Sequence, residues 1–327
     1  MSVPASTTGR SRPAAIVLAG GLGTRMGSLA TTRPKHLLEV AGEPFIVHQL
    51  RWLASHGITD VVLATSHLAD QFEPTLGDGS RWGVRLRYST EPEPAGTAGG
   101  LRLAASVLDF LPECVVVVNG DLLTDHDLTR QLSVGRDNSA PGAVIHIRAV
   151  PDARAFGCVV ADASGLVSAF IEKSPDPPSR EVNAGTYVLT REVVESLARG
   201  TASLERDVIP SLVARGQVLA YREEALWEDV GTPAALVRAS AALVLRSGRE
   251  AHIDPRASVD PSARVAGGSA VGRSAEVGAG AVVLGSVVMS GSVVEAHAVV
   301  AESVVAPGMR VPRGGVLRGG VAPGAQA

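Results

Sequence analysis

The chain has 327 residues, of which 45% are hydrophobic, and a formal net charge of −3. This length allows two domains with a buried core, and the small net charge gives no basic excess that would favour a nucleic acid as partner. The longest apolar runs, such as the valines at 115–118, are far shorter than the roughly 20 residues of a membrane span. Cys114 and Cys158 have no metal-ligand spacing and are expected to be buried thiols in a reducing compartment. We therefore expect a cytoplasmic protein that binds neither nucleic acid nor membrane.

Residues 1–13 lack an apolar segment and are expected to form a disordered tail. Beyond them, apolar runs that are typical of strands covered on both faces alternate with segments of helical spacing. The predicted strands are 14–19, 60–66, 84–89 and 114–121, and the predicted helices are 43–57 and 97–111. This alternation predicts βαβ units in an α/β fold with a Rossmann-like, mostly parallel sheet, which would bind ligands at the carboxyl ends of its strands. We assign residues 14–248 to this domain.

A six-residue repeat begins after about residue 250. Its apolar positions are Ile253, Val259, Val265, Val271, Val277 and Val283, with Gly, Ala, Ser and Pro between them. A short fixed period with one apolar residue per unit is typical of a solenoid, and units in register disfavour a low-complexity tail. The stretch resembles the hexapeptide repeats of left-handed parallel β-helices, so we assign residues 249–327 to a C-terminal β-helix domain.

The first predicted strand leads into a glycine-rich segment, LAGGLGTRMG. Gly21 and Gly23 fit the dinucleotide-binding pattern G-x-G-x-x-G, but Met26 occupies its third glycine position, and no Walker-type lysine follows. The backbone N–H groups of such a loop can still approach an anion closely, and Arg25 and Lys35 would add full charges. The segment therefore indicates a phosphate-binding loop, with a glycine-rich turn between solvated cations as the alternative.

Lysine is rare in this chain, because all its cationic residues except Lys35 and Lys173 are arginines. Where arginine is used almost everywhere, a retained lysine suggests that a compact ammonium is required. Two carboxylates are candidate metal ligands. Asp121 ends a buried strand at the sheet edge where ligands bind, although Asn-Gly-Asp is also favourable in turns. Asp229 precedes Gly-Thr-Pro at a predicted helix start, and the two could share one Mg²⁺, which accepts few protein oxygens and completes its shell with phosphates and water.

These segments resemble the signature of the sugar-1-phosphate nucleotidyltransferases, roughly L-A-G-G-x-G-T-R-L-x-P-L-T-x-x-x-P-K, which residues 18–25 and 34–35 match. Met26, Ser28 and Ala30 stand where that family usually has Leu, Pro and Thr. The nucleotide-binding residues that the resemblance implies are Leu18, Ala19, Gly20, Gly21, Gly23, Thr24, Arg25, Lys35, Gly96, Thr97, Asn119 and Gly120. The catalytic residues that it implies are Arg25, Lys35, Asp121, Lys173 and Asp229.

Two further segments extend the resemblance. Residues 155–179 are predicted to form a hairpin that resembles the family's segment ending in F-x-E-K-P, with Ser174 where proline is common, and residues 182–189 resemble its N-A-G-x-Y strand. The sugar-phosphate-binding residues that these segments imply are Gly157, Glu172, Lys173, Asn183 and Gly185. Residues 204–216 resemble a helix of the family and are assigned to packing.

In this family an oxygen of the sugar phosphate attacks the α-phosphorus of a nucleoside triphosphate in line, and pyrophosphate departs. Such chemistry depends on positioning and electrostatics and needs no protein nucleophile. The resemblance implies that Asp121 and Asp229 hold a magnesium ion. It also implies that Lys173 holds the nucleophile, while Arg25 and Lys35 stabilise the leaving pyrophosphate.

In this family, the segment that corresponds to residues 91–104 contacts the nucleobase. Residues 96–100, GTAGG, resemble the guanylyltransferases more than the G-L-A-Q-A of thymidylyltransferases. The whole chain resembles most the bacterial mannose-1-phosphate guanylyltransferases with a short β-helix tail, which implies GTP and mannose 1-phosphate as substrates. Guanylyl or thymidylyl transfer to another sugar, a heptose or a cyclitol phosphate stays open.

Functions of other classes are also compatible with parts of the sequence. A β-helix acyltransferase would use a histidine of the repeat region, where His252 and His297 are the candidates. A regulatory subunit would bind a nucleotide sugar without making it, although such relatives tend to lose part of the charged set that is present here. We expect an enzyme that forms a homo-oligomer through its β-helix.

Overall fold

The computed structural model describes residues 12–137 and 142–322. Most of the predicted disordered tail, residues 1–13, lies outside this part of the chain, and so do residues 323–327 of the predicted β-helix domain. Within the two described ranges, the helices are too short or too polar to cross a membrane.

Strands and helices alternate along the first unit of the fold. Its strands are β1 (Ala14–Ala19), β2 (Glu39–Val40), β3 (Glu43–Pro44), β4 (Asp60–Thr65), β5 (Arg85–Thr90), β6 (Cys114–Asn119), β7 (Leu122–Thr124), β8 (Ala143–Ala149), β9 (Gly157–Ala161), β10 (Val167–Glu172), β11 (Glu181–Thr190), β12 (Val218–Arg222) and β13 (Trp227–Asp229). Its helices are α1 (Phe45–Ser55), α2 (Phe72–Leu76), α3 (Gly96–Ala105), α4 (Leu128–Asp137), α5 (Arg191–Glu195), α6 (Ile209–Ala214) and α7 (Pro233–Arg246). The predicted strands and helices are confirmed apart from their ends.

Nine strands of the described chain form one sheet, in the order β10-β9-β11-β6-β1-β4-β5, with β8 beside β11 and β12 beside β8. Strands β6, β1, β4 and β5 run parallel, whereas β11 is antiparallel to β6 and β8. Helix α3 packs with Ile16 in one apolar cluster, and helix α1 packs with Val17 in another, so both faces of β1 are covered. The Rossmann-like fold class is therefore confirmed, and the carboxyl ends of β1 and β6 meet at one edge of the sheet.

The second unit is a stack of short parallel strands. These are β14 (Ala251–Ile253), β15 (Ser258–Val259), β16 (Arg264–Ala266), β17 (Ser269–Val271), β18 (Glu276–Val277), β19 (Val282–Leu284), β20 (Val287–Val288), β21 (Val293–Val294), β22 (Val299–Ala301), β23 (Val304–Val305), β24 (Arg310–Val311) and β25 (Val316–Arg318). They form three parallel sheets, in the orders β14-β17-β20-β23, β15-β18-β21-β24 and β16-β19-β22-β25. This arrangement is consistent with the left-handed β-helix expected from the sequence.

The spacing of paired valines gives the length of each coil of this stack. Val265 pairs with Val283, eighteen positions further on, and Val283 pairs with Val300, seventeen positions further on. The first complete coil is therefore one residue longer than the next, which is why the six-residue period of the sequence slips after Val283. Val283 and Val300 are fully buried in the interior of the stack.

A buried histidine pair lies in the first unit, away from the sheet edge. The rings of His126 and His146 stack with centroids 3.9 Å apart, and hydrogen bonds of 2.9 Å join His126 to Thr124 Oγ1 and Gln131 Oε1. Burial, reinforced by the charge of a protonated His146, lowers the pKa of His126 to about 3. Burial also lowers the pKa of His146.

This pair predicts acid sensitivity. The pKa of His126 is about 3 in the folded chain and about 6.5 in the unfolded chain. At a pH between these two values the unfolded chain therefore binds more protons than the folded one, so the free energy of unfolding falls as the pH falls. Each such histidine contributes up to about 1.4 kcal/mol per pH unit. We expect His126→Gln to flatten the pH dependence measured by urea unfolding between pH 7 and pH 5. His67→Gln, which changes an exposed side chain, should retain the wild-type slope; equal slopes for both variants would contradict the assignment.

Candidate active site

Two adjacent cavities lie at the carboxyl ends of β1 and β6. The first cavity, of about 310 Å³, is lined by Arg25, Asn119, Asp121, Leu122, Ala155, Phe156, Gly157, Glu172, Lys173, Asn183, Ala184, Gly185, Glu205, Trp227 and Asp229. The second cavity, of about 330 Å³, is lined by Leu18, Gly20, Gly21, Lys35, His36, Ala64, Glu91, Pro94, Gly96, Thr97, Asn119, Asp121 and Glu205. Asn119, Asp121 and Glu205 are common to both cavities, so these residues form the wall between them.

The small sheet of β7 and β13 brings the two predicted metal ligands together. Asp229, the last residue of β13, pairs with Leu122 at the start of β7, and Asp121 comes directly before that strand. The backbone N–H of Val230 also donates to the carbonyl oxygen of Asp121 at 2.8 Å. Backbone hydrogen bonds thus fix both carboxylates at the rim of the first cavity.

The two carboxyl groups differ in their electrostatic surroundings. Burial raises the pKa of Asp229, and the nearby Asp121 carboxylate raises it further. Burial would also raise the pKa of Asp121, but the Lys35 ammonium, whose Nζ lies 2.5 Å from Asp121 Oδ2, lowers it below the ordinary range. Of these two adjacent carboxylates, only Asp121 has a cation at hydrogen-bond distance. The site therefore retains negative charge that a further positive group could neutralise.

This donor set fits a hard divalent cation. Asp229 Oδ1 is buried and has no hydrogen-bond partner among the described residues, and an unpaired buried carboxylate oxygen is costly unless it binds a cation. Within residues 12–137 and 142–322, no group of three or more His, Cys, Asp or Glu could hold a metal ion. The protein would therefore supply two carboxylates, and phosphates and water would complete the shell, as suits magnesium.

The glycine-rich segment contributes to both cavities. Arg25 lies in the 3-10 turn Thr24–Ala30, and its Nη2 is 3.8 Å from Asp229 Oδ2 in the first cavity. A Cβ atom at Gly231 would lie 2.5 Å from Arg25 Nη2, so a larger residue there would displace the guanidinium from this position. Lys35 lines the second cavity instead. The two cations that were predicted to act together on pyrophosphate thus stand on opposite sides of the Asp121 wall.

Most of the predicted nucleotide-binding residues line the second cavity. Those that do are Leu18, Gly20, Gly21, Lys35, Gly96, Thr97 and Asn119. Those that line neither cavity are Ala19, Gly23, Thr24 and Gly120. Gly120 acts on the backbone, because its N–H donates to the carbonyl oxygen of Leu18 at 2.9 Å and so joins the ends of β1 and β6.

All the predicted sugar-phosphate residues line the first cavity. Gly157 pairs with Glu172 across the β9–β10 hairpin, and burial raises the pKa of Glu172, an effect that the Lys173 ammonium partly opposes. Lys173 has a left-handed backbone (φ 52°), which is unusual for a residue other than glycine and is frequent at functional sites. Asn183 accepts from the Gly185 N–H at 3.1 Å, which holds both residues at the wall of the cavity.

Glu205 is a site residue that the sequence did not reveal. It lies in the π-helical turn Leu204–Val208, part of the segment assigned to packing, and its side chain lines both cavities. Thr97 donates to Glu205 Oε2 at 2.7 Å and Tyr187 donates to Oε1 at 3.1 Å, while Asn183 donates to the Tyr187 hydroxyl at 2.7 Å. This network joins predicted nucleotide and sugar residues. A lone glutamate in a helical pattern offers no sequence signal for it.

Glu91, at the start of the predicted nucleobase segment, is a second such residue. It lines the second cavity, and its Oε2 accepts from the N–H of Ala95 at 3.1 Å. A Cβ atom at Gly100 would lie 2.0 Å from Glu91 Oε1, so this glycine makes room for the carboxylate. The sequence offered one signal for this role, because Glu91 is the acidic residue at the start of the segment EPEPAGTAGG.

Comparisons with known proteins identify the family of this chain. The family model described as nucleotidyl transferase matches residues 14–245. A mannose-1-phosphate guanylyltransferase of Mycobacterium tuberculosis is 41% identical over 269 residues, which cover 79% of this chain and 74% of that protein. A mannose-1-phosphate guanylyltransferase catalytic subunit beta of Drosophila pseudoobscura is 34% identical, and the match covers 67% of this chain and 59% of that protein. A crystal structure of a Bacillus anthracis protein assigned as a glucose-1-phosphate thymidylyltransferase is 27% identical, with a TM-score of 0.64, and the match covers 71% of this chain and 95% of that one. The chain belongs to the nucleotidyl transferase family.

Proposed function

We propose that this chain transfers GMP from GTP to mannose 1-phosphate, forming GDP-mannose and pyrophosphate. The observation that carries the proposal is the shared wall: Asp121 faces both cavities, and Asp229 and Lys173 line the first one. A sugar phosphate in the first cavity and a triphosphate in the second would therefore meet at one carboxylate pair. The names of the relatives support the guanylyl and mannose parts of the proposal.

The reaction needs neutralisation and alignment of two anions. An oxygen of the sugar phosphate attacks the α-phosphorus, the bond from that phosphorus to the bridging oxygen breaks, and pyrophosphate leaves with the electron pair. A magnesium ion held by Asp121 and Asp229 would neutralise phosphate charge at this point. Lys173 binds and orients the attacking phosphate, and Lys35 with the loop N–H groups binds the triphosphate. Arg25, beside Asp229 in the first cavity, would stabilise charge that develops during transfer.

Guanine specificity is proposed to come from Glu91. A carboxylate only accepts hydrogen bonds, and guanine presents two adjacent donors, N1–H and the 2-amino group. Uracil and thymine present a single donor between two carbonyl acceptors, which a carboxylate does not match. Glu91 lines the second cavity beside Gly96 and Thr97, where the base would lie.

The remaining parts of the proposal concern organisation and cofactor. We propose residues 14–248 and 249–327 as the domain limits, magnesium as the metal, and the cytoplasm as the compartment. The outer strands of a β-helix sheet, such as β15 and β24, pair on one side in the described chain. Open edges of this kind favour association with a second copy, which supports a homo-oligomer through the β-helix.

The test is a pyrophosphate-release assay of the purified chain with magnesium. GTP, UTP, dTTP, ATP and CTP are crossed with mannose, glucose and heptose 1-phosphates and with cyclitol phosphates. We expect the highest kcat/KM for GTP with mannose 1-phosphate, and loss of activity when EDTA removes the metal.

Other outcomes would contradict the proposal in distinguishable ways. A preference for dTTP or for another acceptor would contradict the proposed substrates but would leave the proposed nucleotidyl transfer intact. Binding of GDP-mannose by calorimetry without turnover of any pair would favour a regulatory subunit, and consumption of acetyl-CoA with a sugar phosphate would favour an acyltransferase.

A further inference from the structure

The β-helix and the glycine-rich segment share one apolar cluster with helix α7, which contacts both. Buried apolar side chains of both units form one cluster, here called the interdomain cluster. Its members that matter here are Met26, Leu29 and Ala30 of the 3-10 turn and Val287, Met289 and Val304 of the β-helix. All six are at most 6% exposed, so the interface excludes water. Tight packing of this kind transmits displacement rather than absorbing it.

The charged residues of the site come next in sequence to members of this cluster. Arg25 precedes Met26, and Asp229 precedes Val230, which is 2% exposed in the same cluster. Leu123, another member, lies two residues after Asp121. The loop cation and both carboxylates are therefore next to, or within two residues of, side chains of the cluster that joins the two units.

The β2–β3 hairpin makes a second connection between the units. Its Glu39 Oε2 accepts from the backbone N–H of Ser290 in the β-helix at 2.9 Å. The turn residues Ala41 and Gly42 both have positive φ, as a type I′ hairpin turn requires. A Cβ atom at Gly42 would lie 2.1 Å from His252 Nε2, so the turn fits closely against the first β-helix strand.

The hairpin follows Lys35 almost at once in the chain. The 3-10 turn Lys35–Leu37 leads into Leu38, a member of the interdomain cluster, and then into Glu39. The contact between Glu39 and Ser290 thus anchors the segment that presents Lys35 to Asp121. Two of the three departures from the family signature, Met26 and Ala30, are also buried in the cluster.

We propose that the β-helix is a working part of the active site, in which Glu39 and Val287 are positioning residues for the segments that carry Arg25 and Lys35. This inference rests on the proposed nucleotidyl transfer. Misplacement of a catalytic group by about 1 Å is enough to cost roughly a hundredfold in rate. The departures at Met26 and Ala30 are then adaptations to the β-helix rather than to the substrate.

Matched variants in the full chain test the proposal. Val287→Ala opens the interdomain cluster, and Val288→Ala removes the same atoms from the β-helix interior one residue away; the two valines are 1% and 0% exposed. Glu39→Ala removes the acceptor of the Ser290 N–H, whereas Glu39→Gln retains an acceptor. Glu295→Ala is the matched control, because Glu295 accepts from the Arg313 N–H at 2.8 Å within the β-helix.

We expect Val287→Ala and Glu39→Ala to lower kcat by about tenfold. The KM for the sugar phosphate should stay within about twofold of wild type, because Glu172, Lys173 and Asn183 lie in β10, directly after it and in β11. Glu39→Gln should restore most of the rate. Val288→Ala and Glu295→Ala should lower the melting temperature but leave kcat unchanged well below it.

Hydrogen exchange of the backbone over residues 18–40 provides a readout that needs no turnover. Faster exchange there in Val287→Ala than in Val288→Ala supports the proposal, even if the assay of the wild-type chain finds no nucleotidyl transfer. Equal exchange in the two variants, or equal kcat for each matched pair, would overturn it.

Discussion

Replacing Asp121 or Asp229 by asparagine is expected to lower kcat/KM by about a hundredfold or more, equivalent to roughly 3 kcal/mol of transition-state stabilisation. Asparagine has nearly the size of aspartate and lacks its charge, so the loss reports on electrostatics rather than on packing. In Asp121→Asn the Lys35 ammonium also loses its ion-pair partner. We expect the magnesium concentration at half-maximal activity to rise in both variants.

The double variant and a surface control sharpen this prediction. If the two carboxylates act as one unit on a single ion, the double variant should be little slower than the slower single variant. Asp162→Asn should retain wild-type kinetics, because it changes an exposed carboxylate that accepts a hydrogen bond from the Ser164 hydroxyl. Near-normal turnover by either single variant would show the metal assignment to be wrong. A loss of rate with unchanged magnesium dependence would assign Asp121 to holding Lys35 instead.

Replacing Glu91 by glutamine is expected to change the nucleotide preference. The amide presents one acceptor and one donor, so it opposes one of the two guanine donors and matches the donor and acceptor pattern of uracil. A good bidentate pair discriminates by about 1–3 kcal/mol, so the ratio of kcat/KM for GTP to that for UTP should fall by roughly tenfold to a hundredfold. The measurement is pyrophosphate release with each nucleotide at a fixed concentration of sugar phosphate.

Glu93→Gln is the matched control for this change. Glu93 lies two residues further on, is exposed, and lines neither cavity. It should retain the wild-type ratio, which excludes a general effect of lost negative charge on nucleotide binding. An unchanged GTP to UTP ratio in Glu91→Gln would contradict the role of Glu91 in base selection and leave the transfer chemistry unaffected.

The sequence by itself predicted the elements of the fold and most of the residues that line the candidate site. The continuous valines at 115–118 predict a strand buried on both faces, because a polar side chain would have no water on either side. The spaced valines from 259 to 283 predict a solenoid, because a short fixed period places one apolar side chain per unit in the interior. Their resemblance to hexapeptide repeats indicates a β-helix. Glu172, Lys173, Asn183 and Gly185 were implied by the resemblance of two short segments to those of the family, and all four line the first cavity.

What only the tertiary structure decided depends on contacts between distant segments. The pairing of β13 with β7 brings Asp229 to Asp121, and no local pattern encodes a pairing of strands so far apart in sequence. Glu205 enters the site because a π-helical turn directs it between Thr97 and Tyr187. The apolar cluster that contains Met26 and Val287 likewise joins two units, each with its own sequence pattern. Periodicity reports which side chains are buried, whereas what they are buried against is set by how the chain folds back on itself.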